Sequence, residues 1–269
     1  MKADLHMHTT ISDGSDTIFE IVNKCAKSGL THIAITNHDD MDGYEEISRI
    51  CRKLNIKTVK SIEMTTFDRE TGLKAHILGY DIKAEEPIRK LSDRMLKSRN
   101  ENSLKQIELL KADGYDIDIE DLYKKVYKII YKQNIMRYLV DKGVTDRIYG
   151  EFYEKYFGKN GKINFRGEDT DTEDAIKAIV QSGGKAVLAH PGQQQNFILI
   201  DKFVSVGLKG VEYNHHSNSP EDKKIIAERA NKYGLFLTGG SDYHGTNSRG
   251  NIYLAMDLCP PDGVNAIFG

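Results

Sequence analysis

Apolar and polar positions along this chain change period in a regular order. Residues 3 to 8 alternate, which predicts a strand with Leu5 and Met7 on one face and His6 and His8 on the other. From Thr17 to Lys27 the apolar residues Ile18, Ile21, Val22 and Cys25 recur at helical spacing, and Ser28-Gly29 supplies a stop. Residues 32 to 38 read as a second strand, 42 to 54 as a helix with Ile47, Ile50, Cys51 and Leu54 on one face, and 57 to 65 and 75 to 80 as further strands. Near Asp81 the rhythm changes to long, charged helical segments at 86 to 112, 120 to 142 and 146 to 157. The first pattern then resumes: a helix at 173 to 182, a strand at 185 to 190, a helix at 197 to 206, a strand at 208 to 214, a helix at 219 to 233, and strands at 235 to 240 and 251 to 257. Alternation of this kind with short connections implies a parallel sheet, doubly wound or closed as a barrel. Residues 1–81 and 171–269 form that α/β unit in this reading, and residues 82–170 form a helical domain inserted into it.

Composition narrows the classes. A chain of 269 residues can bury a large core as one α/β domain with a sizeable insertion. Its charged fraction of 29% leaves a net charge of -2, without the basic footprint that an extended nucleic-acid surface needs. A small anionic substrate or a strand end remains compatible. The N-terminus reads as a charged strand rather than a leader, and no apolar run approaches the roughly 18 residues that span a membrane, so a cytoplasmic protein is expected. The three cysteines, Cys25, Cys51 and Cys259, are widely spaced in apolar surroundings and read as buried hydrophobes.

The histidines and acids change the picture, because they fall at the ends of the predicted strands. His6 and His8 converge on one face of the first, and Asp13 follows in a polar loop through Gly14. His38 ends the second strand facing the same way as Ala34 and Thr36. Glu63 closes the third, His76 opens the next, His190 follows Leu188-Ala189, and Asp242 and His244 follow Gly239-Gly240-Ser241. Functional residues of parallel α/β folds gather at the carboxyl ends of strands. Six histidines and three carboxylates with few cations nearby would repel one another on titration unless divalent ions organised them. A single zinc takes about four ligands, so nine imply two or three ions with a carboxylate bridging. Nitrogen and oxygen donors without thiolate suit manganese first, with iron, zinc or magnesium as alternatives, and exclude copper(I) and iron–sulfur chemistry.

The order His6-x-His8, Asp13, Thr36-Asn37-His38-Asp39, Glu63, His76, Ala189-His190-Pro191 and Gly240-Ser241-Asp242-Tyr243-His244 closely resembles the polymerase and histidinol phosphatase (PHP) family of metal-dependent phosphoesterases. The resemblance implies a distorted seven-stranded (β/α) barrel with a trinuclear site at the carboxyl ends of its strands. By the same resemblance His6, His8, Glu63 and Asp242 hold one ion. Glu63 bridges to a second held with His76 and His190, and Asp13, His38 and His244 hold the third. Asn37 stands where relatives commonly carry Asp, which alters the support of the ligands rather than ligation.

The helical insertion between His76 and His190 resembles that of the subfamily whose insertion caps the site and whose members act on nucleoside 3′,5′-bisphosphates or on 5′ ends of short RNAs. Ile135 to Val140 looks like its recognisable helix, and Val211-Glu212 through His215 to Ser219 like its substrate-side loop. Relatives commonly read Gly-Arg-Pro-His before that helix, whereas this chain has Tyr131-Lys132-Gln133-Asn134, replacing an arginine fork by a point charge. The expected reaction is hydrolysis of a phosphate monoester by a metal-activated hydroxide, with a small phosphorylated substrate of nucleotide type. Arg99, Lys132, His215 and Arg249 are the expected substrate contacts, and His215 the expected proton donor to the leaving oxygen. Three other readings compete. A histidinol-phosphatase-like or other small-molecule phosphatase differs in substrate, and a metal-stabilised accessory domain would show degraded ligand positions, whereas all nine are present here. An amidohydrolase usually adds a metal-bridging lysine late in a barrel strand, and Lys60 and Lys185 sit at the wrong strand positions for that.

Overall fold

The computed structural model describes residues 1–164, 167 and 169–269. In chain order its elements are β1 (Ala3–Asp4), α1 (Ile18–Lys27), β2 (His32–Ile33), α2 (Tyr44–Lys53), β3 (Lys57–Thr58), β4 (Ser61–Asp68), β5 (Leu73–Tyr80), α3 (Glu86–Ala112), α4 (Ile119–Tyr123), α5 (Lys132–Asp141), α6 (Glu151–Tyr156), β6 (Thr170–Asp171), α7 (Thr172–Gln181), β7 (Lys185–Leu188), α8 (Pro191–Gln194), α9 (Ile198–Phe203), β8 (Leu208–Asn214), α10 (Pro220–Tyr233), β9 (Phe236–Gly239) and α11 (Pro261–Phe268). Local chemistry sets the boundaries. The first helix starts at a capping box in which the Thr17 hydroxyl accepts from the Glu20 N–H and the Glu20 carboxylate accepts from the Thr17 N–H. It buries Ile18, Ile21, Val22 and Cys25, the stripe its spacing predicts.

Two sheets carry the strands: a parallel one in the order β1-β2-β3 and a larger one in the order β6-β4-β5-β7-β8-β9. The larger sheet is mixed, which corrects the expectation of a parallel sheet. Only residues 69–72 separate β4 from β5, far too few for a crossover, so the two close a hairpin and β5 runs antiparallel to both β4 and β7. The expected strands 3–8 and 32–38 form ladders of two residues each and then diverge toward other partners. Met7 bridges Tyr243, His38 bridges Glu63, and the Leu5 N–H donates to the Gly239 carbonyl at 3.3 Å, so the small sheet meets the larger one on its β4 and β9 sides. These are the contacts that bring the strand ends of both sheets to one place.

Residues 251–257 form no strand. Ala255 takes a left-handed φ of 65°, and its N–H donates to the buried Asp4 carboxylate at 2.9 Å, so the alternating apolar pattern there serves a folded-over loop. The C-terminal helix α11, not among the expected elements, packs Val264 and Ile267 into the core beside β9. The expected helix 120–142 divides in two. Its middle, Val126 to Tyr131, is rich in branched and aromatic residues of low helix propensity, and the Ile130 N–H turns aside to Asn100 Oδ1 at 2.9 Å. The long α3 links two apolar clusters: Ile88 packs with the sheet, whereas Ile107 and Leu110 pack with Ile135, Met136, Leu139 and Phe157 in a separate helical core. Among the described residues no helix is long and apolar enough to cross a membrane.

Candidate metal centre

All nine residues expected as ligands meet in one place, seven of them from segments that follow strand ends; Glu63 and His76 lie within the hairpin strands β4 and β5 rather than closing and opening strands as expected, because those strands run longer than the alternation showed. Side-chain nitrogen and oxygen atoms of His6, His8, Glu63 and Asp242 lie within 4.8 Å of one another, as do those of His8, Asp13, His38 and His244, and those of His38, Glu63 and His76. Glu63 is 1% exposed and stands at the middle: Oε2 lies 3.3 Å from His6 Nε2, 3.2 Å from His8 Nε2 and 3.1 Å from His38 Nδ1, while Oε1 lies 2.7 Å from His76 Nδ1 and 3.1 Å from His190 Nε2. Asp242 Oδ1 faces the His6 and His8 Nε2 atoms at 3.4 and 3.2 Å. Asp13 faces His244 Nε2 at 3.3 Å and His38 Nε2 at 3.8 Å. The His8 and His244 rings stack with centroids 4.0 Å apart.

The backbone is distorted where it delivers these groups. His190 (φ 24°), Asp242 (φ 52°) and Asp39 (φ 55°) are all in the left-handed region, a strain that persists only where surrounding bonds fix it. Glu212, which lies in the expected strand 208 to 214 but is not among the expected ligands, accepts two bonds here. Its Oε1 accepts from His6 Nδ1 at 3.0 Å and its Oε2 from the His190 N–H at 2.8 Å, so one buried carboxylate fixes a tautomer and a strained turn together. The signal for it was an acid facing inward at the end of an apolar strand, the same signal that singled out Glu63. Asn37 Oδ1 accepts from Thr9 N and Oγ1 at 2.8 and 3.0 Å and from Ser12 Oγ at 3.1 Å, pinning the loop between His8 and Asp13. An amide oxygen serves that purpose as well as a carboxylate.

Electrostatics prepares the cluster for cations. Burial opposes ionisation of Asp13, but His244, His38 and His8 hold its carboxyl well below the usual range; Glu63 and Asp242 are lowered the same way against burial, Glu63 by His38, His6 and His76 and Asp242 by His6 and His244. Burial opposes charge on His38 and takes it down to about 3, while Glu63 and Asp13 pull the other way. His244 goes up to about 10, because Asp13 and Asp242 outweigh its burial. Buried atoms left without a hydrogen-bond partner concentrate here: His6 Nε2, both His8 nitrogens, His38 Nδ1, Glu63 Oε2, His190 Nδ1 and His215 Nε2. Each such atom costs about 1–3 kcal/mol if nothing satisfies it. Divalent cations would satisfy one nitrogen of each ligand histidine and Glu63 Oε2 together, so the donor set fits the expected ions.

The expected substrate contacts divide. His215 is buried among the ligands, with Nε2 3.6 Å from Asp242 Oδ2 and its ring 5.2 Å from that of His190. Lys132 and Arg99 line a cavity of about 460 Å³ with Lys74, Asn102 and Lys159. Thr65 lines it too and pairs with His76 across the β4–β5 ladder, which puts the cavity beside the ligands. Arg99 is less free than a surface cation: its Nη2 donates to Asp39 Oδ2 at 2.8 Å and to Thr65 Oγ1 at 2.9 Å, and it lies over the Tyr131 ring. Arg249 is the outlier, 74% exposed, 3.7 Å from Glu154 and over the Tyr149 ring. Lys60 and Lys185 pair with Glu85 and Asp81, which leaves both engaged away from the ligands.

The comparisons with known proteins agree with this geometry. The sequence model of the PHP domain matches residues 4–185. A phosphoribosyl 1,2-cyclic phosphate 1,2-diphosphodiesterase of Eggerthella lenta is 38% identical over 253 residues, covering 93% of this chain and 96% of its own. A 3′,5′-nucleoside bisphosphate phosphatase of Chromobacterium violaceum is 29% identical over 272 residues, covering 96% and 92%. A crystal structure from Bifidobacterium adolescentis, described as a metal-dependent phosphoesterase, superposes with a TM-score of 0.90 at 26% identity over 99% of this chain and 95% of that one. With imidazoles and carboxylates clustered in one place, the chain belongs to the PHP-domain family and is a metal-dependent phosphoesterase.

Proposed function

We propose that the substrate is a ribose carrying phosphate at two positions, one ester being hydrolysed at a trinuclear centre while the other phosphate is held by the insertion. The observation that carries this is the cavity itself. A single phosphate held at the ligand cluster needs no second group of cations, yet Lys74, Arg99, Lys132 and Lys159 line one cavity beside it. The two named relatives support the same chemistry, since a phosphoribosyl 1,2-cyclic phosphate and a nucleoside 3′,5′-bisphosphate both present phosphate at two places on one ribose.

In this reading His6, His8, Glu63 and Asp242 hold one ion, Glu63 with His76 and His190 a second, and Asp13, His38 and His244, with His8 beside them, the third. Divalent ions held there, manganese in our reading, would supply charge to neutralise phosphoryl oxygens and acidity to make water nucleophilic at neutral pH. The chain's own groups then order the event. Glu212 fixes His6 and the His190 turn, and Asn37 fixes the loop bearing Asp13. His215 Nδ1 accepts from the Ser217 N–H at 3.1 Å, so its proton resides on Nε2, facing the Asp242 side of the cluster, where it protonates the departing sugar oxygen. Lys132 and Arg99 orient the second phosphate, so binding energy remote from the reacting atoms positions the scissile one. Residues 82–170 act as the cap in this reading, and the two sheets, joined through Met7–Tyr243 and His38–Glu63, act as one distorted barrel. The three buried free thiols, Cys25, Cys51 and Cys259, support a cytoplasmic setting.

The test is a substrate panel on manganese-loaded enzyme: a nucleoside 3′,5′-bisphosphate, a ribosyl cyclic phosphate with a 5-phosphate, the corresponding monophosphates and a small aryl phosphate. Either doubly phosphorylated ribose is expected to exceed its singly phosphorylated counterpart in kcat/KM by about a hundredfold, the scale of one lost charge-assisted contact. Equal turnover of aryl phosphate and both ribose compounds would refute the second-phosphate role.

A further inference from the structure

Among the described residues the insertion reaches the His8, Asp13, His38 and His244 cluster twice, both times from one helix and its cap residue. At the start of α5 the Tyr131 hydroxyl donates to the His38 carbonyl at 2.9 Å. The Tyr131 ring supports Arg99, whose partner Asp39 follows His38 in the chain. Farther along, Arg137 Nη2 donates to the Thr246 carbonyl at 2.8 Å, and Nη2 and Nε both reach Asn247 Oδ1, at 3.2 and 3.3 Å. Asn247 is 3% exposed and passes the connection on, its amide donating to the Asp13 carbonyl at 2.9 Å. Thr246 and Asn247 belong to the turn that follows His244, where Gly245 (φ 67°) comes so near Ser15 that a Cβ would lie 2.0 Å from its Oγ. One helix therefore holds the backbone of three ligands of one cluster. The His6 and His190 ligands are held differently, from β8 through Glu212.

We propose that α5 is a structural component of the metal position formed by His8, Asp13, His38 and His244, so that this position fills only with the insertion seated, whereas the His6, His8, Glu63 and Asp242 position fills without it. The inference rests on the trinuclear reading above. Tyr131 and Arg137 act as positioning residues: neither touches an ion, and each fixes the main chain behind a ligand. Coordination tolerates deviations of about 0.2 Å in ligand distance, so release of the 245–247 turn from Arg137 is enough to spoil the geometry of Asp13 and His244 together. By linkage, a substrate that grips the insertion tightens this ion, and the ion tightens the substrate by the same factor.

The experiment counts metal in full-length protein. Wild type, Arg137→Ala, Tyr131→Phe and Arg147→Ala are loaded with manganese, desalted and analysed by mass spectrometry, then titrated with manganese. Arg147 is an exposed insertion cation paired with Asp146 and serves as the control. Wild type and Arg147→Ala are expected to retain three ions and Arg137→Ala two, its third binding more weakly by a factor of about 10–100, the scale for partners that orient ligands. Tyr131→Phe moves the same way by less. Excess manganese restores kcat in Arg137→Ala, which a misfolded site would not allow. A wild-type count below three overturns the trinuclear reading and this inference with it. Three ions in wild type and three equally tight in Arg137→Ala overturn the inference alone, as does joint loss of every ion with helix content intact by circular dichroism. Should Arg137→Ala not fold, Tyr131→Phe, which removes one hydroxyl from a packed ring, decides by the same count.

Discussion

Replacing Lys132 by methionine separates the holding of the second phosphate from the chemistry at the ligands. The Lys132 ammonium is mostly buried, and that burial together with the like charges of Lys74 and Arg99 brings its pKa down to about 8. Methionine keeps an unbranched stem beside Tyr153 and Phe157, the rings Lys132 now covers at 5.9 and 5.7 Å, so the loss is chiefly of charge. A hydrogen bond to a charged group contributes about 1.5–3 kcal/mol, which translates to a fall of roughly 10- to 150-fold in kcat/KM for a doubly phosphorylated ribose. A small aryl phosphate, with nothing to place in the cavity, is expected to change by less than about twofold. The pH profile carries the same information with a definite sign. Raising pH through 8 removes the proton that the second phosphate needs, so wild-type kcat/KM for the doubly phosphorylated substrate falls about tenfold per unit above that point; kcat/KM reports the free enzyme. Aryl phosphate lacks this limb on wild type, and Lys132→Met lacks it on both substrates. Equal losses on the two substrates, or a limb that survives the substitution, would show that Lys132 does not hold phosphate.

Other outcomes follow from the same geometry. Glu63→Gln, which removes the negative charge and one of the two oxygen donors at the middle of the cluster, is expected to lower activity at least a thousandfold and metal content in parallel while circular dichroism stays native; an active variant with its metals intact would contradict the bridging assignment. Exhaustive chelation should silence the enzyme, with manganese restoring more activity than zinc or magnesium, and should lower the melting temperature, since metal at a hundred times its Kd stabilises by about 2.7 kcal/mol. Glu212→Gln presents an NH2 to either His6 Nδ1–H or the His190 N–H, so metal affinity is expected to fall about 10- to 100-fold in a manganese titration. Arg99→Ala leaves Asp39, 0% exposed, without its cation, and urea unfolding should register a loss of about 3–5 kcal/mol in addition to any effect on KM; unchanged stability would mean that Asp39 takes up a proton at no cost.

Although Glu63 and His76 lie within β4 and β5 rather than at strand ends, the clustered histidines and acids were legible, because alternation is a local property that puts His6 and His8 on one face without knowledge of what lies opposite. The braces behind them were not. Glu212, Asn247 and Tyr131 matter through what they meet, and those meetings depend on which loop crosses which. Strand direction was lost for a similar reason. The apolar pattern of residues 73–80 is the same for either direction, and only the shortness of the 69–72 connection decides it. The stretch Tyr131-Lys132-Gln133-Asn134 joins both lessons. Read as a sequence, it is the absence of an arginine and a histidine that relatives commonly carry. In the fold it is a division of labour: Tyr131 turns its hydroxyl to the His38 carbonyl and its ring to Arg99, Lys132 enters the cavity, and Asn134 caps the helix by accepting from the Tyr131 N–H at 2.7 Å. A bidentate fork replaced by one titrating amine weakens the hold on phosphate above pH 8, and the tyrosine beside it ties that same helix to a metal ligand. Substrate grip and metal support thus come from adjacent residues of one helix start, the first through the charge of Lys132 and the second through the hydroxyl of Tyr131.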